Sequence, residues 1–82
     1  MKKTATKTVT DAMNSVGLSQ KKMADKMGLK AQQAVFNMLN AKNGMRVDNF
    51  IKMVNILGYD VIVRNRVTDE ETEVVVEVGE KE

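Results

Sequence analysis

Gln32, Gln33, Asn37 and Asn40 crowd one short stretch of the chain, and each carries a planar amide offering a hydrogen-bond donor beside an acceptor. The major-groove edge of adenine requires that combination, because its N6 amino group donates and its N7 accepts. On a helix over residues 31–40, Gln33, Phe36, Asn37 and Asn40 recur at i, i+3, i+4 and i+7, with Gln32 beside them. Ala31, Val35, Met38 and Leu39 then form the opposite, apolar stripe. An amide face backed by an apolar one suits reversible reading of base edges, a chemistry that breaks no bond.

Covalent chemistry lacks its usual tools in this sequence. The 82 residues contain no cysteine and no histidine, which excludes disulfides, thiolate metal sites and the commonest general base. A carboxylate or lysine site would need burial to act in acid-base chemistry, yet most of the acids fall in a polar run near the C-terminus. Asp69, Glu70 and Glu71 lack the spaced oxygens and the glycine of a calcium loop, so they read as solvated charge. The expectation is a protein with no catalytic residue, no metal and no cofactor. No apolar run approaches the roughly 20 residues of a bilayer span, and the basic start MKKTATK leads into an amphipathic segment rather than a signal-peptide core. A cytoplasmic protein without membrane contact is expected.

The formal net charge of +2 conceals a division. Residues 1–46 hold nine basic side chains, eight lysines and Arg46, against Asp11 and Asp25; residues 47–82 hold four against nine acids. Cations gathered on one part of a chain are what duplex phosphates select, because neutralising them releases condensed counterions. Lysines are also ordinary helix-surface residues, so charge supports the amide stripe without proving its role.

The elements that must position these groups follow from spacing. Residues 1–6 have little to pack and read as a flexible basic arm. Over Lys7–Val16 the apolar Val9, Ala12, Met13 and Val16 recur at helical intervals, and Gly17 supplies a stop. Ser19 is placed to cap a second helix whose inward residues are Met23, Ala24 and Met27, ended by Gly28. After the amide-bearing third helix, Ala41-Lys42-Asn43-Gly44 reads as a turn. A fourth helix over Val47–Leu57 carries Val47, Phe50, Ile51, Val54 and Leu57 on one stripe, widened by Met53 and Ile56. Most of the methionines fall at inward positions and read as core filler.

Beyond Gly58 the residue types change to β formers, YDVIVRNRV and TEVVVEV, separated by the polar TDEE. Pairing the two about Asp69–Glu70 places Val61, Val63 and Val67 on one face with Val74, Val76 and Val78, and Arg64 and Arg66 on the other with Glu73 and Glu77. An isolated two-stranded ribbon is marginal in water, so it should dock on the helices, on a second copy, or on both. The fold class expected is mainly α: a four-helix helix-turn-helix domain over 7–58, then a two-stranded β-hairpin over 59–79 for docking or dimerisation, and a tail over 80–82.

The stretch LSQKKMADKMG, followed by QQAVFNMLN and RVDNFIKMVNILGYDV, resembles the Cro/phage-repressor (XRE-type) helix-turn-helix family, particularly its small phage and mobile-element regulators. The likeness covers roughly residues 7–60 and rests on the Ser-Gln opening, the small Ala24 and the turn Gly28 at matching relative places. It implies a homodimer that binds a partly palindromic DNA operator, usually to repress transcription. Carried over by position, the resemblance gives Gln20 a phosphate contact at the start of helix two, with Ser19 and Lys21 beside it. Gln32 or Gln33 would face base edges, and Asn37 would do likewise from further along. Phe36 would touch a thymine methyl group or tuck into the core. Asn40 would reach bases or only sugar-phosphate, and Lys30, Lys42 and Arg46 would clamp phosphates around the groove. The segment LKA after Gly28 is one residue longer than the tight turn the family leads one to expect, which bears on which glutamine faces the bases.

Duplex DNA and a second copy are thus the expected partners. A second reading makes the chain a protein-interaction module, an antitoxin or a phage-encoded inhibitor, whose valine hairpin grips a toxin, host or phage protein.

Overall fold

In the computed structural model, residues 2–76 are described, and their order is α1 (Ala5–Val16), α2 (Gln20–Met27), α3 (Gln32–Leu39), α4 (Val47–Ile56), β1 (Val61–Arg64) and β2 (Glu71–Val74). Four helices followed by an antiparallel hairpin is the fold class read from the sequence. Met1, Glu77, Val78 and the 80–82 tail lie outside the described residues.

Local chemistry sets each boundary. Helix α1 begins at Ala5 rather than Lys7, because the Thr4 hydroxyl accepts from the Lys7 N–H at 3.1 Å and caps the first turn. Ala5 and Thr6 therefore belong to the helix, and Thr6 Oγ1 donates to the Leu39 carbonyl at 3.2 Å, tying the start of α1 to the end of α3. Lys3 reaches forward to Asp11, leaving little of the N-terminal arm unattached. Ser19 Oγ likewise accepts from the Lys22 N–H at the start of α2. At the other end of α2, Gly28 takes the left-handed conformation at φ 76°, and the following Leu29 N–H donates back to the Ala24 carbonyl at 2.8 Å. That bond spans more residues than the other bond of a Schellman end, which runs from the Gly28 N–H to the Asp25 carbonyl, and Leu29 packs on the core as the motif requires. The Gly28–Ala31 connection, including the extra residue in LKA, is thereby an ordered corner.

The core draws on every helix. Val9, Ala12 and Met13 of α1 meet Met23 and Ala24 of α2, Val35 and Leu39 of α3, and Met53 and Val54 of α4, with Leu57 below them. Ile51 is buried as well. Three residues expected on inward stripes are not there. Val16 is 55% exposed in the last turn of α1, and Val47 is 64% exposed as the first residue of α4. Ala31 is the exposed N-cap of α3, not part of its inward stripe. All three sit at helix ends, where the stripe runs past the edge of the neighbouring helices.

The hairpin differs from the expected pairing by four residues. Val61 faces Val74, Ile62 faces Glu73, Val63 faces Thr72 and Arg64 faces Glu71. Asn65 moves the turn: its N–H donates to the Glu70 carbonyl, its own carbonyl accepts from the Asp69 N–H, and its side-chain oxygen accepts from Val67 and Thr68. Asp69 closes the loop at φ 64°, a left-handed conformation that Asp tolerates better than most residues. An even shift keeps the faces, so Val61, Val63 and Val74 still share one side and Arg64 and Glu73 the other. Val67 and Arg66, expected in the strands, lie in the loop.

Candidate nucleic-acid interface

Helix α3 is held from behind. Val35 and Leu39 are buried, Ala34 and Met38 are half-buried, and α3 packs chiefly against α2. The outer side carries Gln32, Gln33, Phe36, Asn37 and Asn40, all exposed. Phe36, for which groove contact and core packing were both open, retains 47% of its surface and so does not enter the core. The four residues expected to touch bases thus share one solvent-facing surface.

Two hydrogen bonds order that surface. Gln33 Nε2 donates to Asn37 Oδ1 at 3.1 Å, joining two amides one helical turn apart. Asn40 Nδ2 donates to the Phe36 carbonyl at 2.9 Å, so Asn40 acts partly as the C-terminal cap of α3 with one N–H and its oxygen remaining. At the opposite end, Ala31 supplies no side-chain cap. The first N–H groups of α3 therefore have no local side-chain acceptor, a situation that favours anions.

The basic groups surround α3 in the chain. Lys30 lies in the corner before it, Lys42 in the turn after it, Arg46 at the start of α4 and Lys21 in the first turn of α2; all are exposed. Among the described residues the ion pairs are Lys3–Asp11 at 2.8 Å and Lys7–Asp11 at 3.1 Å. Both involve α1 and the segment before it, so among the described residues none of the cations nearest α3 in sequence is in an ion pair. Asp11 itself is held below its ordinary value, first by its hydrogen bond from Lys3 and then by that from Lys7.

A small depression of about 180 Å³ opens at the start of α2, where Ser19 and Gln20 meet Thr10 and Asn14 of α1. Ser19 spends an oxygen lone pair on the Lys22 N–H but keeps its hydroxyl hydrogen for an outside acceptor. Thr10 and Asn14 were not singled out from the sequence, though they stand at i and i+4 on α1 and form a polar stripe of their own. Reading α1 for its apolar positions alone hides them.

No group of three or more acidic side chains close enough to hold a metal ion occurs among the described residues. No helix among them is long and apolar enough to cross a membrane. Comparison with protein-family models, curated proteins and solved structures gave no match to this chain.

Proposed function

We propose that the protein is a sequence-specific DNA-binding transcriptional regulator of the phage-repressor type, a repressor that acts in the cytoplasm as a homodimer and reads the major groove with α3. The observation that carries this reading is the solvent-facing amide surface of α3, fixed from behind by Val35 and Leu39. Gln32, Gln33, Phe36 and Asn37 face the bases, the phenyl ring against a thymine methyl. Ser19, Gln20, Lys21, Lys30, Asn40, Lys42 and Arg46 contact phosphates, joined by Thr10 and Asn14 at the depression beside Gln20. Binding needs no cofactor and no catalytic group. Selection of bound duplexes from a random pool, followed by titration of the winner against salt, tests it. The expected result is a partly palindromic enriched site whose affinity falls steeply as salt rises. A pool that emerges unenriched would refute it.

The hairpin supports the second reading, an interaction module of the antitoxin or inhibitor kind. Ile62 and Val63 point to opposite faces of the ribbon, yet both are exposed, and β1 meets the helices chiefly at α4. Deleting residues 60–82 separates the two readings: loss of activity with DNA affinity intact would favour the interaction module.

A further inference from the structure

Where the end of α2 meets α4, a depression of about 320 Å³ is lined by Lys26 and Met27 from one helix and by Lys52, Asn55 and Ile56 from the other. Met27 and Ile56 are half-buried and pack on the core, whereas both lysines are exposed. The groove thus combines an apolar floor with two cations. Among the described residues neither lysine is in an ion pair. Its volume is at the low end of the roughly 300–1,000 Å³ of ligand clefts, which suits one or two side chains of an extended segment.

Val76 lines the same groove, so residues 77–82 leave the hairpin at its rim. The ladder has no strand left for them. Continuing the register in which Val61 faces Val74 would set Glu77 opposite Gly58 and Val78 opposite Leu57, and both of those belong to the turn that ends α4. The segment EVGEKE carries three glutamates against Lys81, an acidic excess to set against Lys26 and Lys52, and its Val78 stands between Glu77 and Glu80. Acid, apolar residue and acid match the groove in kind. A tether this short holds a segment at millimolar effective concentration, so contacts that are weak singly are enough to populate the seated form.

We propose that residues 77–82 seat in the α2–α4 groove of their own chain, with Val78 on Met27 and Ile56 and with Glu77 and Glu80 against the two lysines. The seated segment ties the far end of the hairpin to the helical core. It also takes Lys26 and Lys52 out of the cationic surface open to polyanions, leaving that role to the lysines on either side of α3. The proposal stands whether or not α3 binds DNA.

The sequence has no cysteine, so Lys81→Cys in the full chain gives a single site for a nitroxide label and keeps all three glutamates. In dilute protein the methyl signals of Met27 and Ile56 should be among those the label broadens most. Lys26→Glu with Lys52→Glu, both at exposed positions outside the core, should lower the ratio of seated to free segment about five-fold or more, the worth of two exposed ion pairs. Adding Glu77→Lys and Glu80→Lys to that variant should restore the broadening. Broadening that is spread over the surface without favouring Met27 and Ile56, or that ignores the charge reversals, would overturn the proposal. So would broadening seen only when the label is on one chain and the observed methyls on another, since the groove would then hold a second copy.

Discussion

Valine behaves in opposite ways in the two halves of this molecule. Val9, Val35 and Val54 in the helices are sealed from solvent, whereas Val63 in β1 is 57% exposed and Val67 in the loop is 90% exposed. The same side chain thus contributes its full burial energy in one region and little in the other. The helical region is a closed core with its polar stripe turned outward. The hairpin is held by its own ladder and by partial cover of Val61 and Val74, and it presents apolar surface on both faces. Residue type alone does not distinguish a finished core from a surface that has room for a partner.

The largest contrast should appear on removing one core side chain. Met23 is fully buried at the meeting of the helices, so Met23→Ala should cost about 2–5 kcal/mol. A domain of this length has only about 4–12 kcal/mol in total, and urea titration of the variant should give a much lower midpoint or no folded baseline. A shift as small as that of a surface variant would mean that the core is not closed.

Gly28→Ala probes the corner that aims α3. No atom lies near enough to obstruct a Cβ there, so the cost is that of a left-handed alanine, about 1 kcal/mol net of the entropy lost by the unfolded chain. Thermal melting should fall by about 4–8 °C. Weaker DNA binding beyond that loss of stability would show that the corner also orients the recognition surface.

In the hairpin, Val63→Thr should change stability by no more than about 0.5 kcal/mol. Repeating the melt at low and high protein concentration sharpens the comparison. A cost that grows with concentration would mean that a second copy covers this face and that the two regions differ less in the assembled protein than in the single chain.

The smallest effect belongs to Asp11. Its carboxyl is held below 3.8 in the folded chain by Lys3 and Lys7, so its contribution is present above that pH and disappears as pH falls through the lowered value. Asp11→Asn should lower stability slightly at neutral pH, leave it unchanged at strongly acid pH, and so flatten the acid limb of a stability-versus-pH curve by that small amount. A steeper acid limb would contradict the ion pairs.

Helix type and inward faces were legible because the apolar residues obey one period and the glycines stand just past the ends. Ser19 and Gly28, in particular, identify the limits of α2 before any coordinates are considered. Thr4 was harder to recognise as a cap, since it follows Lys2 and Lys3 in a segment with no apolar residue to align it. The hairpin turn was misplaced because TDEE is the most polar segment, whereas the turn depends on Asn65 accepting from its own loop and Asp69 taking a left-handed conformation. Charge density marks a solvated segment; hydrogen-bond geometry chooses the corner within it. At the candidate interface, side-chain spacing located the exposed amides, but the bond between Gln33 and Asn37 depends on rotamers that spacing leaves open.

The most direct measurement is an NMR titration of the labelled protein with its selected duplex, following the side-chain amide signals of Gln33, Asn37 and Asn65. Gln33 and Asn37 should shift and gain protection as DNA is added, while Asn65, in the hairpin loop, should stay in place. Movement of Asn65 with Gln33 and Asn37 unchanged would contradict the claim that α3 is the surface that meets the duplex.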